Sequence, residues 1–246
     1  QCKNEIHNIL QRANIKLTSY LSDIYGITGI TLLEMFIDGE VITEQTILPK
    51  IHGKVKATAA ELVEAMDGKL SFEDRFLLGQ SLEHYRHSVN QVEEITVVIK
   101  QYVLERFERE YNLLIELPGV SAIVACVILS EIGPNVEAFK SQGNLASWAG
   151  VCPGSYESAG IKKSSHTTQG NKYLKSSLFQ AGGTAGRSKD EAFHNLYARI
   201  SGRSSKMKAI IACAHKMIRV IYKILSTGEH YDAKKALGLR QQARAN

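Results

Sequence analysis

Ser158 stands in the segment GSYESAGIKKSSHTTQG (Gly154–Gly170), with Ala159 and Gly160 behind it and Lys162 and Lys163 close by. A hydroxyl on a small-residue loop beside paired lysines has the parts of a nucleophile held near phosphate. Ala159 and Gly160 give a tight backbone and room for a phosphate to approach. Lys162 and Lys163 supply cationic donors for its non-bridging oxygens. Ser155, Ser164 and Ser165 share the segment, so its composition alone does not select a serine, and an ordinary solvated loop has the same composition.

A second candidate precedes it. Leu117-Pro118-Gly119-Val120 separates two apolar helical runs, the second leaving from Ser121, which reads as a helix-hairpin-helix. Proline ends the incoming helix and glycine takes positive φ at little cost. First-turn N–H groups of the next helix, around Gly119 and Ser121, then form an anion site. Beyond the loop a helix resumes at Gln169-Gly170-Asn171, with Lys172 and Lys175 toward the loop's concave side. Gly119, Ser121, Lys162, Lys163, Gly170, Asn171, Lys172 and Lys175 are therefore the candidate nucleic-acid contacts, and Ser158 is the candidate catalytic residue. His84 and His87 lie at i, i+3 with no third ligand in view and read as surface groups. No metal ligand set is identified.

The elements that must carry these residues are helical. Residues 1–21 read as one helix with Ile6, Ile9, Leu10, Ala13 and Leu17 inward. Thr31–Ile37 reads as a short helix closed by Asp38-Gly39, and residues 50–56 as a linker. Thr58 with Glu61, and Ser71 with Asp74, have the capping-box spacing. From Leu78 the residues Leu82, Tyr85, Val89, Val92, Thr96, Ile99 and Val103 recur at steps of four and three, a heptad seam. Continued to Leu114 this makes a rod of roughly 50 Å at about 1.5 Å per residue. Its length favours pairing with another subunit. The helix after Ser121 stops at Gly133-Pro134, and Trp148 reads as a core anchor. Tyr173, Leu174, Leu178 and Phe179 point inward, and Gly182, Gly183 and Gly186 loosen that helix's end. A helix over 190–200 and a long one over 206–225 follow, the latter leaving Lys206, Lys208, Lys216, Arg219 and Lys223 largely outside. The tail from Tyr231 is expected to be frayed. No run of alternating strands is evident, so the fold class is mostly α.

At 246 residues the chain holds one large domain or two small ones. Four well-separated cysteines without a CxxC spacing point to a reducing cytosol and against structural zinc. No apolar run reaches a membrane span. The net charge of +5 is divided unevenly. Residues 158–246 hold 17 Lys+Arg against 4 Asp+Glu, and residues 1–157 hold 13 against 21. A basic half of that strength implies a polyanionic partner.

LPGVSAIVACVILSEIG (Leu117–Gly133), Phe139, LASWAGVCPG (Leu145–Gly154), ESAG (Glu157–Gly160) and QGNKYLK (Gln169–Lys175) together resemble the C-terminal transposase domain of the insertion-sequence 110/116/902 family. CKNEIHNILQRANIKL (Cys2–Leu17) resembles that family's linker into the helical region. The resemblance implies that Ser158 attacks a DNA phosphodiester and becomes covalently linked to DNA. It also implies a structured guide RNA pairing with donor and target DNA, and an N-terminal RNase-H-like domain whose four acidic residues hold Mg²⁺. That acidic domain is absent from the sequence, so Mg²⁺ is expected only in a full-length family enzyme and this chain alone is expected to be inactive. Lys175 stands where the family usually has arginine, which keeps the charge and loses bidentate contact.

The expected organisation is a helical linker region over 1–70, a coiled-coil helix over 71–116, a helix-hairpin-helix and serine transposase domain over 117–230, and a flexible basic tail over 231–246. The expected function is the C-terminal part of a DNA transposase or recombinase, with DNA, a guide RNA and further copies of the chain as partners. Its expected location is the prokaryotic cytoplasm, at the nucleoid. The alternative is a non-catalytic DNA- or RNA-binding module with a dimerisation helix.

Overall fold

In the computed structural model the described residues are 1–152, 156–158, 161–164 and 167–238, with the backbone alone described for the segments 156–158 and 161–164. The fold is mostly α, as the helical periodicity predicts. The chain forms two compact units, residues 1–94 and 95–246.

The first unit contains α1 (Cys2–Arg12), α2 (Leu17–Tyr20), α3 (Ile27–Asp38), α4 (Glu44–Ile47) and α5 (Ala59–Ala65), together with the first part of α6 (Phe72–Ile115). The single helix expected over 1–21 is broken, because Asn14 takes a left-handed conformation at φ 59°. Asparagine tolerates that region better than other side chains with a Cβ. The inward face is nonetheless as expected, with Ile6, Ile9, Leu10, Ala13 and Leu17 all buried. Both expected caps are formed. The Thr58 hydroxyl accepts from Glu61 N while the Glu61 carboxylate accepts from Thr58 N. The Ser71 hydroxyl accepts from Asp74 N at 3.1 Å.

The heptad seam divides into three parts. Leu78 and Leu82 are buried in the first unit's core, and Val103 is buried in the second's. Val89 and Ile99 between them are exposed. The continuous rod is also interrupted, since Phe107 leaves helical geometry (φ −139°, ψ 36°) with no proline or glycine beside it. Phe107 packs against the second unit's core.

The second unit is completed by α7 (Ala122–Ile132), α8 (Gln142–Trp148), β1 (Tyr156–Ser158), β2 (Ile161–Ser164), α9 (Lys172–Arg187), α10 (Glu191–Arg203), α11 (Lys206–Thr227) and α12 (Ala233–Gly238). Its centre is α11, which packs on α8, α9 and α10. Gly182 and Gly186 do not loosen α9, which continues to Arg187. A Cβ at Gly182 would lie 2.7 Å from Ala214 N on α11, so this glycine sets the close approach of the two helices. A Cβ at Gly186 would meet the Tyr197 ring at 2.6 Å.

Two aromatic expectations are corrected. Trp148 is exposed on its side chain and rests against Phe139, with ring centroids 5.4 Å apart. Tyr173 is also exposed, while Leu174 and Leu178 on the same helix are buried. Within the expected tail, Ala236 is buried in the second unit's core and Tyr231 packs against that core. Tyr231 donates its hydroxyl to Asp190 at 2.9 Å and its N–H to Glu116 at 3.2 Å. The helix α12 follows, and residues 239–246 lie outside the described ones. Among the described residues no helix is long and apolar enough to cross a membrane.

Candidate nucleic-acid interface and serine hairpin

The turn from α6 into α7 is built from Leu117 to Val120. Val120 N donates to the Leu117 carbonyl at 3.1 Å, and Gly119 adopts φ 83°. A Cβ at residue 119 would overlap the Ala181 carbonyl oxygen and come within 2.8 Å of Ala185 N. Gly119 is thus required twice, by its dihedral and by its seat on the α9 backbone. Ser121 is exposed and caps α7, its hydroxyl accepting from Val124 N at 3.4 Å.

The far end of α9 frames the serine segment. A Cβ at Gly170 would overlap the Gly150 backbone, so the chain entering and the chain leaving the segment cross in direct contact. Asn171 N donates to the Trp148 carbonyl at 3.1 Å, and Thr168 N donates to the Cys152 carbonyl at 3.2 Å. The Asn171 side-chain oxygen accepts from Tyr173 N and Leu174 N, each at 3.0 Å, and its amide nitrogen donates to the Glu131 carboxylate of α7. Lys175 Nζ donates to the Thr168 carbonyl at 3.0 Å. Lys172 Nζ lies 4.8 Å from the Tyr173 ring centroid.

Within this frame the expected irregular loop contains a two-stranded antiparallel ladder. Ser158 pairs with Ile161, Glu157 with Lys162 and Tyr156 with Ser164, with a register irregularity between Tyr156 and Glu157. That irregularity leaves Lys163 without a cross-strand partner position, the pattern of a bulge. Ser158 therefore ends β1 at the tip of the ladder. The side chains of Ser158, Lys162 and Lys163 lie outside the described residues, as do residues 153–155, 159–160 and 165–166.

The candidate contacts thus form two groups. Gly119 meets α9 near Ala181 and Ala185, with Ser121 two residues further along the chain, whereas Gly170, Asn171, Lys172 and Lys175 lie at the start of α9. At about 1.5 Å per residue the groups are separated by roughly 15 Å of helix. Among the described residues there is no cluster of three or more His, Cys, Asp or Glu able to hold a metal.

Sequence reasoning missed Glu131, which carries no pattern that distinguishes it from any surface glutamate. It also placed Lys216 and Arg219 outside α11. Both are half-buried, with Lys216 Nζ donating to the Ala192 carbonyl at 2.8 Å and Arg219 Nε donating to Gln142 at 3.2 Å. Burial holds Lys216 below the usual lysine range. Together with Arg199, Lys208 and His215 they line a cavity of about 570 Å³ between α10 and α11.

The described residues thus combine a glycine-seated turn and a two-stranded ladder held at its base, in a chain whose C-terminal half is basic. Residues 111–198 match the model of the Transposase IS116/IS110/IS902 family. It is 28% identical over 156 residues to a putative transposase, y4pF/y4sB, of Sinorhizobium fredii, covering 61% of this chain and 39% of that protein. It is 27% identical over 158 residues to the pilin gene-inverting proteins of Moraxella lacunata and Moraxella bovis, covering 48% of each. The chain spans less than half the length of these curated relatives.

Proposed function

We propose that this chain is the serine-bearing part of a DNA transposase or recombinase that cuts and rejoins DNA. The family match carries the reading, because residues 111–198 include the whole serine hairpin and its frame. Relatives named for transposition and for inverting a pilin gene point to one chemical operation, strand cleavage followed by rejoining. Ser158 Oγ is assigned as the nucleophile. Its attack forms an O–P bond and breaks one phosphodiester P–O bond, the serine proton passing to a base and the departing oxygen taking up a proton. The phosphodiester to serine conserves the bond, so rejoining needs no added energy source.

Lys162 and Lys163 are assigned to the non-bridging oxygens, while Gly119 and Ser121 present the α7 start to a backbone phosphate in the manner of a helix-hairpin-helix. Gly170, Asn171, Lys172 and Lys175 support the hairpin from its base and line the approach. DNA is the substrate, and a structured guide RNA is the second polyanion assigned to the basic half. Mg²⁺ held by acidic residues elsewhere in a full-length family enzyme would activate the serine hydroxyl and balance charge on the phosphate.

The deciding experiment combines the chain with the acidic domain of a close relative, guide RNA and Mg²⁺, and locates any DNA–protein adduct by mass spectrometry. The expected result is DNA on Ser158, lost in Ser158→Ala with DNA affinity nearly unchanged. An adduct on Ser155, Ser164 or Ser165, or full activity in the alanine variant, overturns the assignment. DNA binding without any adduct favours the non-catalytic binding module.

A further inference from the structure

The cavity between α10 and α11 differs from everything assigned above. Gly170, Asn171, Lys172 and Lys175 are not among the described residues that line it, whereas Val151 and Thr167, at the two ends of the serine segment, are. Arg199 projects from α10, and Lys208, His215, Lys216 and Arg219 from α11. No Asp or Glu is among the described residues that line it. Its volume of about 570 Å³ falls within the roughly 300–1,000 Å³ of small-ligand sites. Four cations around one concavity repel each other unless an anion enters, so the lining is poised for negative charge.

Hydrogen bonding supports the same conclusion. Arg199 Nε is shielded from solvent and has no acceptor. Buried donors are normally paired, and an orphan on a cavity wall is met by an acceptor from outside the chain. Lys216 and Arg219 are already tied to the Ala192 carbonyl and to Gln142, which fixes their positions. Each keeps further N–H donors, since an ammonium has three and a guanidinium five. The opposite character is present too. Leu196, Ile211 and Ala212 give an apolar wall, and Asn195 adds an amide that can both donate and accept. A bare phosphate would use the cations and leave that wall in water.

We propose that this cavity binds a phosphate-bearing ligand of nucleotide size, with the phosphate met by Arg199 and further cations of the lining and the base against Leu196, Ile211 and Ala212. Burial, with the charge of Arg219, holds His215 below the usual histidine range, so its ring is neutral near pH 7 and available as donor or acceptor. The ligand is either a free nucleotide or a nucleotide unit splayed from a single strand.

The test titrates the full chain with adenosine 5′-monophosphate, inorganic phosphate and a short oligothymidylate, followed by calorimetry. Adenosine monophosphate or the oligonucleotide is expected to bind more tightly than phosphate. Arg199→Gln should weaken that binding by about tenfold, the loss of one charge-assisted contact. Ala212→Phe fills the cavity without altering its charge, and should block the nucleotide while leaving phosphate binding intact. Far-UV circular dichroism confirms that both variants are folded. Binding of the monophosphate alone identifies a free nucleotide, and tighter binding of the oligonucleotide with the same variant sensitivity identifies a strand. Phosphate binding with the same affinity as the nucleotide, no binding by any probe, or indifference to both substitutions overturns the proposal. An adduct on Ser158 in the absence of such binding would leave the proposed function standing without this site.

Discussion

Asn171 joins α7 to α9, donating its side-chain amide to the Glu131 carboxylate while its oxygen caps the first turn of α9 through Tyr173 N and Leu174 N. Its side-chain oxygen accepts twice and one of its two amide N–H groups donates, all within the fold. Its backbone N–H is also used, by the Trp148 carbonyl. The base of the serine hairpin therefore depends on this residue for position, before any question of phosphate contact. Asn171→Ala should cost about 2 kcal/mol, combining a lost cap with a carboxylate deprived of its donor. Glu131→Gln keeps an acceptor and should cost about 1 kcal/mol or less. Urea denaturation of the full chain measures both, and an unshifted midpoint for Asn171→Ala would show the cap to be dispensable.

Nucleic-acid binding by the chain should be steeply salt-dependent. The motive is the imbalance of 17 Lys+Arg against 4 Asp+Glu in residues 158–246. Each phosphate neutralised releases counterions, so affinity for duplex DNA or structured RNA should fall by about three orders of magnitude between 50 and 200 mM salt if about six phosphates are contacted. Fluorescence anisotropy across that range gives the slope. A flat profile, or no binding at low salt, contradicts the assignment of a polyanionic partner.

The helix starts were readable because a cap is local. Thr58 with Glu61, and Ser71 with Asp74, need only three residues to declare themselves, and both formed. The break at Asn14 was hidden because the apolar period continues through it and the inward residues are the expected ones. Trp148 and Tyr173 misled in the opposite way. Each lies on a helix whose apolar face is real, but exposure depends on which neighbouring element covers that part of the face. Gly182 reads as a weak point along the chain and acts as a contact point with Ala214, information that exists only once α11 is placed. For the serine segment, serines, lysines and glycines carry no strand period, so the ladder was not visible. The basic cavity was illegible because Arg199 and the α11 cations are distant in the chain and each is ordinary by itself.

Self-association should run through the exposed face of α6 and have a second copy of the chain as its partner. Ile95, Ile99 and Tyr102 stand at i, i+4 and i+7 and are exposed, and Ile123 of α7 is exposed beside them. Ile99, Phe107, Ile123 and Cys126 line an adjoining apolar groove of about 470 Å³. The heptad spacing suits an identical helix from a second copy. Leu82 is buried in the chain's own core, so a charge there would report on folding. Ile99→Glu is the cleaner probe. It should turn dimers into monomers in sedimentation while thermal stability changes little. A monomeric parent chain at micromolar concentration would rule out this face as a dimer seam.

Stability should decline as the pH falls below about 6.5, with His215 responsible for part of the slope. Burial, with the Arg219 charge second, lowers the His215 pKa from its ordinary 6.5. The unfolded chain then takes up this proton at higher pH than the folded chain does. The contribution is fully present above the unfolded value, falls as pH drops through it, and levels off below the folded value. Carboxylates whose pKa is depressed, such as Glu116 beneath His230, act in a lower window, below their ordinary 4.5. Melting temperatures between pH 7 and pH 5 should therefore fall less steeply for His215→Leu than for the parent chain. The slope is the readout, since the substitution can shift stability at every pH by changing the packing. Parallel slopes would mean that His215 titrates alike in both states and that the cavity wall does not penalise its charge.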